Sequence, residues 1–355
     1  MTAPPAVTLC IINHNGAEHL REAFRAVEAQ DWPFAEILLI DNASDDSSLE
    51  VARVMCPKAS LISLPRNLGP GAARNAGFRS AANDLILFQD NDVCLCKNTL
   101  DQLIKHLKNH WDALLVTPRV LYKHDPDTVQ YDSADCHFLG LMATRNADTR
   151  AQDLDVIPRE TTSMVSSCFL INRERWNEEN LFDETFGFNL EDHDFGVRSR
   201  LAGHSLWVDP RALVEHGSGT PGLSYRPGQA ASEQRLFYLT LNRWTVISKC
   251  YATKTVAILF PALLLYEVMQ FAWLVSHGHF RIWSRAVRAY WQSRKRIRAK
   301  RQAIQSKRRV ADRNVLQDVP LPLTRAVRDG AITQSIVGMA DYLMRSYWRL
   351  VRRWV

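Results

Sequence analysis

LILFQDNDV, residues 85–93, runs a short apolar stretch of buried-strand character directly into Asp90-Asn91-Asp92. Carboxylates at i and i+2 near a strand end point to one side. There they can hold a hard divalent cation, or one already bound to a diphosphate, through oxygen ligands. Asp-Asn-Asp is also ordinary turn chemistry, because these side chains bond their own backbone. Acidic and histidine sites further along the chain move the balance towards function.

Working outward, the first 120 residues alternate apolar runs with amphipathic ones, which predicts a largely parallel sheet with helices on its faces. Strands are expected at Val7 to Asn13, Glu36 to Ile40, Ser60 to Leu64, Leu85 to Gln89 and Ala113 to Thr117, with helices at Ala17 to Ala29, Ser47 to Met55, Gly71 to Ala82 and Asn98 to His110. Ser44-Asp45-Asp46 supplies cap residues for the second helix. In open sheets of this kind ligands bind beyond the carboxyl ends of the strands. The polar clusters Asn13-His14-Asn15, Asp41-Asn42 and Asp90 to Asp92 fall there, which points to one site. Further strands are expected at Met164 to Asn172 and Leu206 to Val208, and a helix at Glu191 to Ala202, ended by Gly203.

Four more stretches carry candidate chemistry. Asp41, at the tip of EILLIDNASDD, suits hydrogen bonding to a nucleobase or ribose, and an N-cap role equally well. RNLGPGAARNAG places Gly69-Pro70-Gly71 before a helix bearing Arg74, offering backbone N–H groups and a guanidinium to a diphosphate; it is not a Walker loop, and a tight turn also explains the glycines. Phe188 to Asp194, FNLEDHD, packs three carboxylates into four residues, whose mutual repulsion favours a functional site over plain helix-start acidity. His216, in HGSGT after ALVE, sits at a strand end where it can complete a metal shell.

The 355-residue chain carries a net charge of +6, unevenly spread. Thirteen Lys/Arg against one acid between Arg281 and Arg313, and six against three beyond, leave residues 1–280 at −9. An acidic front with a basic tail points the tail at an anionic surface, membrane or nucleic acid. Val256 to Val275 is long and apolar enough to span a bilayer, but Pro261, Glu267 and Gln270 weaken that reading. A buried core helix and a helix lying on the membrane surface are the other two readings, and the neighbouring Arg, Lys and Trp residues favour the last. Seven scattered cysteines without metal spacing read as reduced thiols in a cytosolic protein, and the N-terminus shows no secretory signal.

Taken in order, VTLCIINHNG, LLIDNASDD, NLGPGAARNAG, FQDNDV, NLEDHDFGVRSRLAG and VDPRALVEHGSG resemble the family 2 glycosyltransferases, inverting enzymes of the GT-A fold. The likeness covers about 210 residues and is greatest to bacterial rhamnosyl- and galactofuranosyltransferases of O-antigen, capsule or cell-wall glycan synthesis. It implies an α/β, Rossmann-like GT-A domain over residues 1–228, with a donor half to about 120 and an acceptor half from about 121, and a helical, membrane-associating region over 229–355.

The resemblance further implies a hexosyl- or deoxyhexosyltransferase that moves a sugar from a UDP- or dTDP-sugar to a glycan or lipid-linked glycan. Asp41, Arg74, Asn13, Asn15, Asn67 and Asp90 would then lie along the donor nucleotide. Asp90, Asp92 and His216 would hold Mg2+ or Mn2+. Asp192, flanked by Glu191 and Asp194, would be the catalytic base. The QxxRW signature of processive synthases is absent, though Asn242-Arg243-Trp244 echoes its end, so transfer of one or a few sugars is favoured over polymerisation. A sugar-nucleotide-binding module without catalysis, a nucleotidyltransferase and a nucleic-acid-binding protein are the competing readings. Nucleic acid is not the expected partner; the expected location is the cytoplasmic side of a bacterial plasma membrane, attached at its surface.

Overall fold

The computed structural model describes residues 5–217, 232–322 and 331–355. Strands β1 (Val7–Asn13), β2 (Glu36–Asp41), β3 (Ser60–Ser63) and β4 (Leu85–Asp90) alternate with helices α1 (Ala17–Glu28), α2 (Ser48–Met55) and α3 (Pro70–Ser80). The strands lie parallel in the order β3-β2-β1-β4. β1 is buried along its whole length, as the unbroken run VTLCIIN requires of a strand covered on both faces. α1 turns Leu20, Ala23, Phe24 and Val27 inward at helical spacing. α3 approaches the sheet through its small residues; a Cβ on Gly77 would meet Cys10 Sγ at 3.2 Å and Ile40 Cγ1 and Phe88 Cε1 at 3.3 Å.

Beyond β4 the sheet is mixed. After β5 (Val93–Leu95) and α4 (Thr99–Asn109) come β6 (Ala113–Tyr122), longer than expected, and β7 (Asp125–Tyr131). Short strands follow: β8 (Ala134–His137), β9 (Leu141–Thr144), β10 (Thr149–Arg150) and β11 (Arg159–Thr161). β12 (Cys168–Asn172), the observed core of the stretch 164–172, inserts between β4 and β6 and runs antiparallel to both. The largely parallel sheet expected over the first 120 residues is observed as β3-β2-β1-β4, and the later strands make the whole sheet mixed, with β12 antiparallel to its neighbours and β13 (Ser205–His216) parallel to β6. α5 spans Glu191–Leu201. β13 extends well past 208. Its pairing with β6 breaks between Asp209 and Leu213, where Pro210 lacks a ladder donor, and then resumes to carry His216 beside Val93 of β5.

The C-terminal elements are α6 (Glu233–Cys250), α7 (Thr253–Ser276), α8 (Phe280–Lys307), β14 (Leu316–Gln317) and α9 (Ala331–Val351). The chain forms two compact units. One takes in the described residues up to Ala134, Thr144–Gly187 and the described residues from His204 to Gly217; the other takes in Asp135–Ala143, Phe188–Gly203 and the described residues from Ser232 onward. The boundary expected at 228, and Ser218 to Thr220 of the HGSGT turn, lie outside the described residues. None of the seven cysteines forms a disulfide.

Candidate active site

In the first unit the pairings Asn13↔Asp41 and Ile12↔Asp90 align the carboxyl ends of β1, β2 and β4. Asn13 and Asp41 are buried there and bind each other: Asn13 Nδ2 donates to Asp41 Oδ1 at 2.9 Å and to Ser44 Oγ at 3.0 Å. Asp41 Oδ2 also accepts from the Ser44 amide at 3.0 Å, so Asp41 shapes the 41–44 turn. Asn15, in a left-handed conformation with φ 49°, accepts from the Asp45 amide at 2.9 Å. The N-cap position of α2 is Ser47, not one of the expected Ser44-Asp45-Asp46; Asp46 Oδ1 accepts from the Ser48 amide at 2.9 Å just before it. Asn67 Oδ1 accepts from Asn42 Nδ2 at 2.9 Å and from the Gly69 amide at 3.0 Å. Gly69 itself has φ 88°, and a Cβ there would lie 2.1 Å from the Gly187 carbonyl oxygen, so this turn admits glycine alone.

Asn91, between the two acids, turns towards β1. Its Nδ2 donates to Asn13 Oδ1 at 2.7 Å and crosses directly over Gly16, where a Cβ would lie 1.9 Å from it. This ties the Asp-Asn-Asp turn to the tip of β1 and gives Gly16 a reason that the sequence did not show. Arg74, buried on α3, donates through Nη2 to Asp90 Oδ1 and to the Ser166 carbonyl at 3.0 Å. A charge-assisted bond of this kind fixes the Asp90 carboxylate in place.

Asp92 does not face solvent, as a turn at a strand end would suggest; its side chain is 7% exposed because β13 closes on it. His216 Nε2 lies 3.3 Å from Asp92 Oδ1, and the Gly217 amide donates to the Asp92 carbonyl at 2.9 Å. His216 Nδ1 donates to Gln130 Oε1 at 2.7 Å, which aims Nε2 at Asp92. Burial lowers the His216 pKa, but the charge and hydrogen bond of Asp92 and the charge of Asp90 outweigh it and hold the value above the histidine norm. Gln130 was not legible beforehand. A histidine ligand commonly has its second nitrogen held in this way, and that is the one signal that could have prompted a search for it.

Among the described residues, no group of three His, Cys, Asp or Glu side chains forms a ready metal cage. The donor set still fits a hard cation. Mg2+ and its relatives at phosphate sites take one or two protein carboxylates and complete their shell with substrate phosphate and water. Asp90, Asp92 and Nε2 of His216 are the residues that would hold it.

The second unit holds the FNLEDHD segment. Asn189 and Leu190 both adopt left-handed φ, 61° and 65°, just before α5, a costly conformation for two side-chain-bearing residues. Asn242 of α6 clamps this turn, its Nδ2 donating to the Phe188 carbonyl at 2.9 Å and the Asn189 carbonyl at 2.7 Å. The turn delivers Glu191 and Asp192 at the start of α5, and Asp192 Oδ1 accepts from the His193 amide at 2.7 Å. Asp194 is fully buried between cations, with Lys249 Nζ 2.8 Å from Oδ1 and Arg198 Nε 2.8 Å from Oδ2. Both oxygens are engaged, which makes Asp194 the tie between α5 and α6. Asp194→Asn strands the buried Lys249 charge and is expected to cost about 3–5 kcal/mol in chemical denaturation, the usual result of breaking a buried pair.

Two buried histidines of this unit make it acid-sensitive. Burial lowers His193 to about 4, against the opposing charge of Asp194, and burial with the Arg243 and Arg345 charges lowers His137 to about 3. Above pH 6.5 both are neutral whether the chain is folded or unfolded. Below that, only the unfolded chain takes up the protons, so stability falls progressively down to the folded values. Thermal denaturation across this range should show the melting temperature dropping with pH, and His193→Gln should make the drop shallower.

Residues 8–178 match the family model described as glycosyl transferase family 2. The succinoglycan biosynthesis protein ExoO of Rhizobium meliloti (strain 1021) is 33% identical over 102 residues, 28% of this chain and 29% of that protein. The N-acetylglucosaminyl-diphospho-decaprenol L-rhamnosyltransferase of Mycobacterium tuberculosis is 23% identical over 257 residues, 65% of this chain and 83% of that protein. The chain spans less than half the length of the first curated relatives it matches, 29%, 44% and 32%. Among solved structures, GalNAc-T7 with UDP, GalNAc and Mn2+ superposes with a TM-score of 0.55 at 16% identity, covering 73% of this chain and 51% of that one. The fold is that of the GT-A transferases.

Proposed function

We propose that this chain, whose residues 8–178 match the glycosyl transferase family 2 model, is an inverting glycosyltransferase. It moves a hexosyl or deoxyhexosyl group from a UDP- or dTDP-sugar to a glycan or lipid-linked glycan, on the cytosolic side where sugar nucleotides occur. The observation that carries the reading is the pairing of Arg74 with Asp90 and of His216 with Asp92 around one strand-end turn. The rhamnosyltransferase relative, whose name specifies a diphospho-decaprenol acceptor, supports a lipid-linked acceptor here.

In the reaction the acceptor hydroxyl gives its proton to Asp192 as its oxygen bonds to the anomeric carbon. The bond from that carbon to the diphosphate oxygen breaks, and the nucleoside diphosphate leaves from the opposite face. A single displacement therefore inverts the anomeric configuration. Asp90, positioned by Arg74, and Asp92, with His216 aimed by Gln130, would hold a divalent cation against the donor's diphosphate end, which carboxylates alone would repel. A bound Mg2+ or Mn2+ supplies charge neutralisation for the departing diphosphate. Asn13, Asp41, Asn15 and Asn67 keep the nucleotide-side loops in shape, and Asn242 holds the strained turn that presents Asp192.

The test is a panel of UDP-, dTDP- and GDP-sugars with Mn2+, read by thermal shift and by donor hydrolysis. A shift and cation-dependent hydrolysis with one donor support transfer. A shift without any turnover, even with glycan acceptors added, identifies a binding module instead.

A further inference from the structure

We propose that α7 seats this protein on an anionic phospholipid bilayer, lying in the plane of the interface rather than crossing it. Phe260, Leu264, Leu265, Val268, Ala272 and Val275 recur at helical spacing along one stripe of α7, and all six are exposed. Only 17% of the helix's most apolar stretch is buried, which removes the core-helix reading.

The opposite side of α7 rules against a span. There Glu267 binds Arg243 Nη1 at 2.7 Å and Trp244 Nε1 at 2.9 Å, and Gln270 Nε2 donates to Thr240 Oγ1 at 3.1 Å. Those partners belong to α6, which also carries the buried Asn242 and Lys249, and Arg243 is itself fixed to the Leu139 carbonyl at 2.8 Å. A crossing α7 would have to draw this polar helix into hydrocarbon or abandon the contacts, and lipid offers no substitute partners. An apolar stripe outside and polar fastenings inside are the features of an interfacial helix.

The same unit supplies more of the surface that such docking needs. α9 is tied to α7 by the Tyr347 hydroxyl donating to the Ile258 carbonyl at 2.6 Å, and it exposes Met339, Tyr342 and Leu343. α8 begins just after α7 and exposes Arg285, Arg288, Arg294 and Arg298, with Trp291 among them. Cations beside interfacial aromatics complement acidic headgroups, as on the inner leaflet of a bacterial plasma membrane.

Vesicle flotation of the full-length protein tests this, using phosphatidylcholine with and without phosphatidylglycerol. The wild type should float with the phosphatidylglycerol vesicles at low salt and be released at high salt. The exposed pairs L264E/V268E and R294E/R298E should each weaken binding by roughly ten-fold or more, with unchanged circular dichroism. The proposal is overturned if the wild type does not float, if it floats equally with neutral vesicles, or if either pair floats like wild type. Retention in carbonate-washed cell membranes would also overturn it, in favour of a span. So would a dimer that L264E/V268E dissolves while flotation is absent, or binding to duplex DNA without binding to vesicles.

Discussion

Asp92→Asn is expected to reduce cation-dependent donor turnover by roughly 10²-fold or more, the scale on which removing a charge-stabilising group acts on a developing anion. The substitution preserves shape. Asp92 is buried against His216 and Gly217, and an asparagine can keep the contact with His216 while removing the charge. Circular dichroism should therefore be unchanged while metal titration shows a weakened apparent affinity for Mn2+. Turnover that persists unchanged in the variant, or wild-type turnover that survives EDTA, would remove the cation from the mechanism.

The second large effect falls on the other unit. Asp192→Asn should leave donor binding and its KM near wild type while kcat for transfer falls by roughly 10²-fold or more, the contribution of a positioned general base. The comparison with Asp194→Asn makes the test sharp. That variant should lose stability, because Lys249 and Arg198 lose their counter-charge, whereas Asp192→Asn should melt like wild type. A well-folded but inactive Asp194→Asn beside an active Asp192→Asn would move the base two residues along α5.

Some of this architecture was legible because it is local. The run from Leu85 into Asp90, like those ending at Asn13 and Asp41, has the composition of a buried parallel strand, and polar residues at strand tips follow from where such sheets bind ligands. The helices between them show in the spacing of residues such as Leu20, Phe24 and Val27. Even Gly203, just past the end of α5, reads as a stop signal, and its φ of 96° is the conformation that only glycine takes freely.

What the chain alone left open depended on partners far along it. CFLIN, residues 168–172, is apolar enough for any core position, and only its pairing with β4 and β6 reveals an antiparallel insertion. Asp192 and Asp194 are chemically alike and two residues apart. They part ways because Lys249, on another helix, reaches one of them. In the sequence Asn242 is only an echo of another signature; its hold on the turn before α5 exists because folding brings α6 to that turn. Length and apolarity leave α7 readable as a span, a core helix or a surface helix, with only the neighbouring Arg, Lys and Trp residues leaning towards the last. Which face of α7 is covered is set by Glu267 meeting Arg243 and Trp244 on α6. Sequence periodicity reports which residues share a face of one element. Only tertiary packing decides what that face meets, because burial and charge pairing are properties of two segments at once.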